Sequence, residues 1–125
     1  MPELPEVETI ARSLREGREG FPALPGQVIS HATVRWPRHV AQPSLSTFRR
    51  RIRGQQIENV MRRGKYLVLP LSADILLIHL KMSGDLILAP SGSPPGRFDR
   101  TVFHLRSGWE LRFSDARKFG KVFLS

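Results

Sequence analysis

Apolar residues first recur at helical spacing. Val7, Ile10, Ala11 and Leu14 stand at i, i+3, i+4 and i+7 behind Pro5, so one face of the segment is apolar and a helix is predicted. Pro5 suits a first turn and Gly17 a stop, while Glu3, Glu6 and Glu8 collect where the helix dipole favours anions. Gln27 to Val34 is rich in β-branched residues and reads as a strand. Ser44 is a candidate N-cap for a second helix that carries Leu45, Phe48 and Ile52 and ends at Gly54. From Gln55 the period shortens to two. Strands are predicted over Gln56–Arg62, Lys65–Pro70, Ile75–His79, Asp85–Ala89, Thr101–Leu105, Glu110–Ser114 and Lys121–Leu124, with Ser107-Gly108 as a hairpin turn. The expected fold is mainly β with some α. It is an antiparallel β-sandwich flanked by an N-terminal helix and a second short helix, with residues 1–125 as one domain.

Charge sharpens this picture. The 125 residues carry a net charge of +9, and the charge is segregated. Residues 31–65 hold eight Arg and one Lys against one Glu, and residues 97–125 hold five Arg and two Lys against three acids. Residues 1–30 are the acidic exception, with five Glu against three Arg. Two basic blocks rich in Arg point to an anionic polymer, with the stretches 49–53, 62–65 and 115–121 as candidate phosphate contacts. A solvated basic surface is the plainer alternative. Cysteine is absent, which excludes a disulfide scaffold, a thiolate zinc site and a cysteine nucleophile within this chain. No apolar run is long enough to span a membrane, and the acidic, proline-rich start is unlike a signal peptide, so a cytoplasmic location is expected.

The first residues carry the sharpest chemistry. A compact second residue permits removal of Met1, which would leave Pro2 with a free secondary amine. Such an amine can form an iminium with an aldehyde-like carbon, and Glu3 and Glu6 would stand beside it as acid–base groups. An acidic first turn that only stabilises the helix explains the same residues on spacing alone.

Four motifs decide between these readings. Met1-Pro2-Glu3-Leu4-Pro5-Glu6-Val7-Glu8-Thr9, Arg63-Gly64-Lys65-Tyr66-Leu67, His79-Leu80-Lys81-Met82-Ser83-Gly84 and Asp115-Ala116-Arg117-Lys118-Phe119-Gly120 together resemble the bacterial formamidopyrimidine-DNA glycosylases, in the family's order and across the whole chain. Leu4 with Val7-Glu8-Thr9 resembles the purine-repair branch more than the endonuclease VIII branch. Two departures occur: Ala116 stands where the family often has Pro, and Phe98-Asp99-Arg100 replaces a segment that frequently carries His.

The resemblance implies the N-terminal catalytic domain of a bifunctional glycosylase and abasic-site lyase. Its partner would be duplex DNA containing oxidised purines (8-oxoguanine, formamidopyrimidines) or abasic sites, met by a monomer in the bacterial cytoplasm. Pro2 would attack C1′ and form a Schiff base, with β- and δ-elimination following. Glu3 would shuttle protons, Glu6 would order the pocket, and Lys65 would bind phosphate and the damaged nucleotide. His79, Arg100 and Lys118 would contact DNA. Met82 would enter the gap left by the flipped lesion, Arg117 would bond the orphaned base, and Phe119 would wedge between base pairs. The domain itself would need no cofactor or metal. The family's zinc belongs to a C-terminal helix–two-turn–helix and four-cysteine finger that this chain lacks, so the isolated domain is expected to be inactive or weak. Taken alone, Lys65 reads as a strand lysine, His79 as a strand-end histidine and Met82 as a core filler. The rival functions are an endonuclease VIII-like enzyme for oxidised pyrimidines and a non-catalytic nucleic-acid-binding module.

Overall fold

The computed structural model describes residues 4–81 and 84–125. Helix α1 spans Leu4–Glu16 and buries Val7, Ala11 and Leu14, the predicted apolar stripe. It stops at Gly17, whose φ of 76° is a conformation that glycine adopts without a Cβ penalty and whose N–H bonds Ser13 O at 2.9 Å. Strand β1 (Ile29–Val34) leads into a 3-10 turn at Pro37–His39 and a short β2 (Val40–Gln42). Helix α2 (Leu45–Ile52) follows, N-capped by Ser44 as predicted, with Phe48 and Ile52 buried. Next come β3 (Met61–Arg63), β4 (Tyr66–Pro70), β5 (Ile75–His79), β6 (Gly84–Pro90), β7 (Asp99–Leu105), β8 (Trp109–Asp115) and β9 (Lys121–Leu124).

The strands form two sheets, in the orders β1-β7-β8-β6 and β2-β9-β5-β4-β3. Inward residues alternate along both. Leu67, Leu69, Leu76, Ile78, Val122 and Leu124 from one face Leu86, Leu88, Phe103, Leu105, Leu111 and Phe113 from the other in a single core. Each such side chain contributes about 1.5–3 kcal/mol on burial. The helices close the sandwich at opposite sides. Helix α2 packs on the edge strands β1 and β2, where Phe48 meets Phe103 edge-on with ring centroids 6.3 Å apart. Helix α1 packs on β3 and β4, and Thr9, Ile10, Ser13 and Leu14 face β6 across a shallow groove.

Two expectations are corrected. The sandwich is not wholly antiparallel, because β2 pairs in parallel with β9 (Val40 opposite Val122). The predicted strand Gln56–Arg62 is mostly irregular. Only Met61–Arg63 forms a ladder, while Gln56 and Ile57 make isolated bridges to Val28 and Leu71.

Candidate nucleic-acid interface

Strand register gathers the motifs at one end of the sandwich. Gly84 pairs with Asp115 across β6 and β8, and His79 pairs with Lys121 across β5 and β9. The turn after β5 and the loop after β8 therefore emerge side by side. Tyr66 pairs with His79, which brings the β3–β4 turn at Gly64-Lys65 to the same end. Helix α1 points its N-terminus there too. Arg15 reaches Val60 O at 2.9 Å while Glu8, two turns earlier, takes Arg62 Nε at 3.0 Å, so the helix runs antiparallel to β3. Its exposed first turn carries Glu6. Pro2, Glu3 and Met82 lie outside the described residues.

The loop at 115–120 is tied down at its base. Asp115 is fully buried, and its Oδ2 accepts from Gly120 N at 2.6 Å and from His39 Nε2 at 3.1 Å. A Cβ on Gly120 would lie 2.4 Å from Phe113 Cζ, so this close approach requires glycine. Arg100, expected at the DNA, spends its guanidinium on the loop: Nε donates to Asp115 O at 2.9 Å and an Nη to Ala116 O at 3.4 Å. Above this base Phe119 is 49% exposed, with the Arg117 guanidinium 5.4 Å from its ring centroid. A half-exposed phenylalanine flanked by a cation is poor core and suits a surface that receives bases. Lys118 sits at φ 61° with its ammonium 4.3 Å from the Trp36 ring.

His79 completes the end from the other sheet. Its Nδ1 accepts from the Lys81 N–H at 3.0 Å, which leaves Nε2 to carry the ring proton, and the edge of Tyr66 packs 4.6 Å away. Burial first, then the nearby Lys81 and Lys65 charges, hold its pKa below the ordinary 6.5. A neutral imidazole donor beside two lysines is suited to a phosphate oxygen. The Arg block at 49–53 does not belong here. Gly54 N bonds Ile29 O and Arg106 N bonds Val28 O, at the far end where β7 turns into β8. Arg49, Arg50 and Arg51 occupy the last turn of α2, where cations complement the helix dipole, and Arg51 also pairs with the buried Asp74. Among the described residues no group of three or more His, Asp or Glu could hold a metal ion, and no helix is long and apolar enough to cross a membrane.

Sequence reasoning singled out neither His39 nor Trp36 nor Thr101. His39 is fully buried, stacks 4.2 Å from Phe113, and has Nδ1 3.3 Å from Thr101 Oγ1. Burial pushes its pKa down; Asp115 opposes this, and the Lys121 and Arg100 charges reinforce it. His104, on the outer face of β7, is lowered by burial and by its stacked neighbour His31. The fold holds all three histidines below the ordinary value of 6.5, so as pH falls the unfolded chain takes up protons before the fold does. Stability is therefore expected to be intact above pH 6.5 and to fall below it. The slope approaches about 1.4 kcal/mol per pH unit for the fully buried His39 alone. Urea titrations between pH 7.5 and 5 check this, and a flat midpoint across that range would contradict it.

A sequence profile of the formamidopyrimidine-DNA glycosylase N-terminal domain matches residues 1–122. The formamidopyrimidine-DNA glycosylase of Protochlamydia amoebophila is 40% identical over 125 residues, 99% of this chain and 44% of that protein. That of Geobacter sulfurreducens is 42% identical over 122 residues, 98% of this chain and 42% of that protein. The crystal structure of Lactococcus lactis FPG (MutM) with FAPY-dG-containing DNA superimposes with a TM-score of 0.87 at 32% identity, covering 98% of this chain and 43% of that one. A complex of the Lactococcus enzyme with THF-DNA and an inhibitor gives 0.88 at 33% identity, covering 99% and 44%. The chain thus spans less than half the length of the relatives it matches.

Proposed function

Since the chain belongs to the formamidopyrimidine-DNA glycosylase family, as its N-terminal domain, we propose that it is the base-excising half of a bacterial enzyme that removes oxidised purines from duplex DNA and cuts the strand at the resulting abasic site. The observation that carries this reading is the convergence of the α1 N-terminus, Lys65, His79 and the Arg117–Phe119 loop at one basic end of the sandwich. That end has the charge to accept a duplex.

The chemistry begins at Pro2, once Met1 is removed. Its secondary amine attacks C1′ of the damaged nucleotide, the C–N glycosidic bond breaks, and the base leaves with a proton. The sugar ring opens with Glu3 moving the proton, and an iminium joins Pro2 to C1′. Loss of a C2′ proton breaks the bond from C3′ to its oxygen, and a second elimination breaks the bond from C5′ to its oxygen. Glu6 sits one turn along α1 to order these protons. Lys65 and His79 hold the flanking phosphates, Lys118 reinforces the strand contact, and Met82 and Phe119 replace stacking lost when the lesion leaves the helix. The zinc implied for the rest of the molecule needs cysteines that these 125 residues do not contain, and no step above runs through it. The enzyme works as a monomer in the cytoplasm, at the nucleoid.

The test is borohydride reduction during turnover, with the chain extended to its relatives' full length. An adduct is expected on duplexes carrying 8-oxoguanine and on pre-formed abasic sites, with the DNA remnant on the tryptic peptide Pro2–Arg12. Acetylation of the terminus should abolish it. Strand cleavage that survives acetylation would overturn the assignment. Faster adduct formation on oxidised pyrimidines would reassign the substrate, and salt-sensitive binding with no adduct would leave only a binding module.

A further inference from the structure

Helix, strands and motif loops account for the DNA-facing end except for one fully buried titratable side chain, His39. It comes from the 3-10 turn between β1 and β2, not from any motif, yet that turn grips the 115–121 segment at three points. Its Trp36 ring lies 4.3 Å from the Lys118 ammonium, Arg38 O accepts from Lys121 Nζ at 2.9 Å, and His39 Nε2 lies 3.1 Å from Asp115 Oδ2. We propose that His39 is a positioning residue for base excision. It donates its Nε2–H to Asp115, holds that carboxylate where it captures the Gly120 N–H, and so sets the stance of Arg117 and Phe119 toward the DNA.

The inference rests on the function proposed above, but its structural half does not. Asp115 Oδ2 is shared between the Nε2–H and the Gly120 N–H, so the imidazole and the loop closure are coupled through one oxygen. The ring cannot slide away. Phe113 stacks on one face at 4.2 Å, and Nδ1 stands 3.3 Å from the Thr101 hydroxyl. With Nε2 as the donor, Nδ1 of the neutral ring is the acceptor and the Thr101 hydroxyl donates to it. The groups facing the ring are thus Asp115 and Phe113 from β8 and Thr101 from β7, with the Lys121 and Arg100 charges close by. The loop's other brace, Arg100 on Asp115 O and Ala116 O, holds backbone before Arg117. The Asp115 carboxylate ties the segment after Phe119 back to the segment before it, and His39 reaches that carboxylate from outside the loop.

His39→Phe keeps the stacking and volume but removes the donor, whereas His39→Gln retains an N–H. With the chain extended to its relatives' full length, base excision by His39→Phe should slow about tenfold, the worth of one hydrogen bond to a charged acceptor. Cleavage at a pre-formed abasic site, which needs no base flipping, should change less than about twofold, and His39→Gln should recover most of the difference. Equal losses on both substrates, tracking thermal stability, would reduce His39 to a packing residue and overturn the proposal, as would no loss on either. A second arm does not depend on activity. Ring 15N shifts of the unaltered protein near pH 7 should show Nε2 protonated and Nδ1 bare. Gly120 amide exchange should be protected, and about tenfold faster in His39→Phe at unchanged Phe103 protection. The opposite tautomer, or unaltered Gly120 exchange, overturns the positioning role even if excision is observed. A protein that fulfils this arm but excises no lesion retains the positioning of the loop and loses only the proposed function.

Discussion

Asp115→Ala is expected to cost about 3–5 kcal/mol of stability, which is what breaking a buried, hydrogen-bonded polar pair costs. The carboxylate is fully buried, and its removal strands two donors, the His39 Nε2–H and the Gly120 N–H. Neither can turn to water, because His39 is itself fully buried and Gly120 is pressed against Phe113 and His79 O. The loss should appear as a fall in melting temperature on the order of 10 °C or more. DNA binding should weaken as well, since the loop that carries Arg117 and Phe119 closes through this one oxygen. Asp115→Asn keeps an acceptor for the Gly120 N–H and should lose about half as much. A melting temperature within about 2 °C of the unaltered protein for Asp115→Ala would refute the account.

Gly84→Ala is the second large effect. An added Cβ would lie 2.4 Å from Leu80 O and 2.9 Å from Leu80 Cα, both backbone atoms, and Leu80 is anchored in the core. No rotamer relieves that contact. Either the five-residue turn closed by the Gly84 N–H to Leu80 O bond opens, or β6 shifts against β8 at the Gly84–Asp115 pair. A cost of about 3 kcal/mol is expected, at the upper end for overpacking. Denaturant midpoints check it. Gly64→Ala is the control, since a Cβ there meets nothing within 4 Å, and only its φ of 60° counts against it.

What the sequence could show depended on whether each contact was local in the chain. Helix α1 was legible because its four apolar positions lie within eight residues and a glycine ends it. The hairpin of β7 and β8 was legible because Ser107-Gly108 marks its turn. Strand β2 was not. Its three residues, set between Pro37 and Pro43, hold too short a pattern to show a period, and its partner β9 lies at the other end of the chain. Gln56 and Ile57 alternate as a strand should, but their partners are single bridges to two different segments. At the site, motifs identified the loop and the turn. The Arg block at 49–53 carries the same charge signal as the motif loops, and only the fold shows that α2 ends away from them. His39 left no sequence signal at all: it lies in a basic stretch outside any periodic element, and its role exists only because β8 and the 3-10 turn meet in space.

The parallel β2–β9 pair and the β1–β7 pair bear on how the protein comes off the ribosome. Both strands in the first third of the chain take their ladder partners from its last third, whereas the β3-β4-β5 meander and the β7–β8 hairpin join sequence neighbours. At about 5–20 residues per second, the roughly 65 residues between the end of β1 at Val34 and the start of β7 at Asp99 take about 3–13 seconds to be made. For that interval β1, β2 and the apolar face of α2 have no sheet to join, whereas α1 already has β3 and β4. The sandwich therefore closes only after β9 has emerged, as one late and cooperative event of the slow kind that long-range pairing imposes. Substitutions that weaken the β9 ladder should then act on nascent protein more severely than their equilibrium cost alone would indicate.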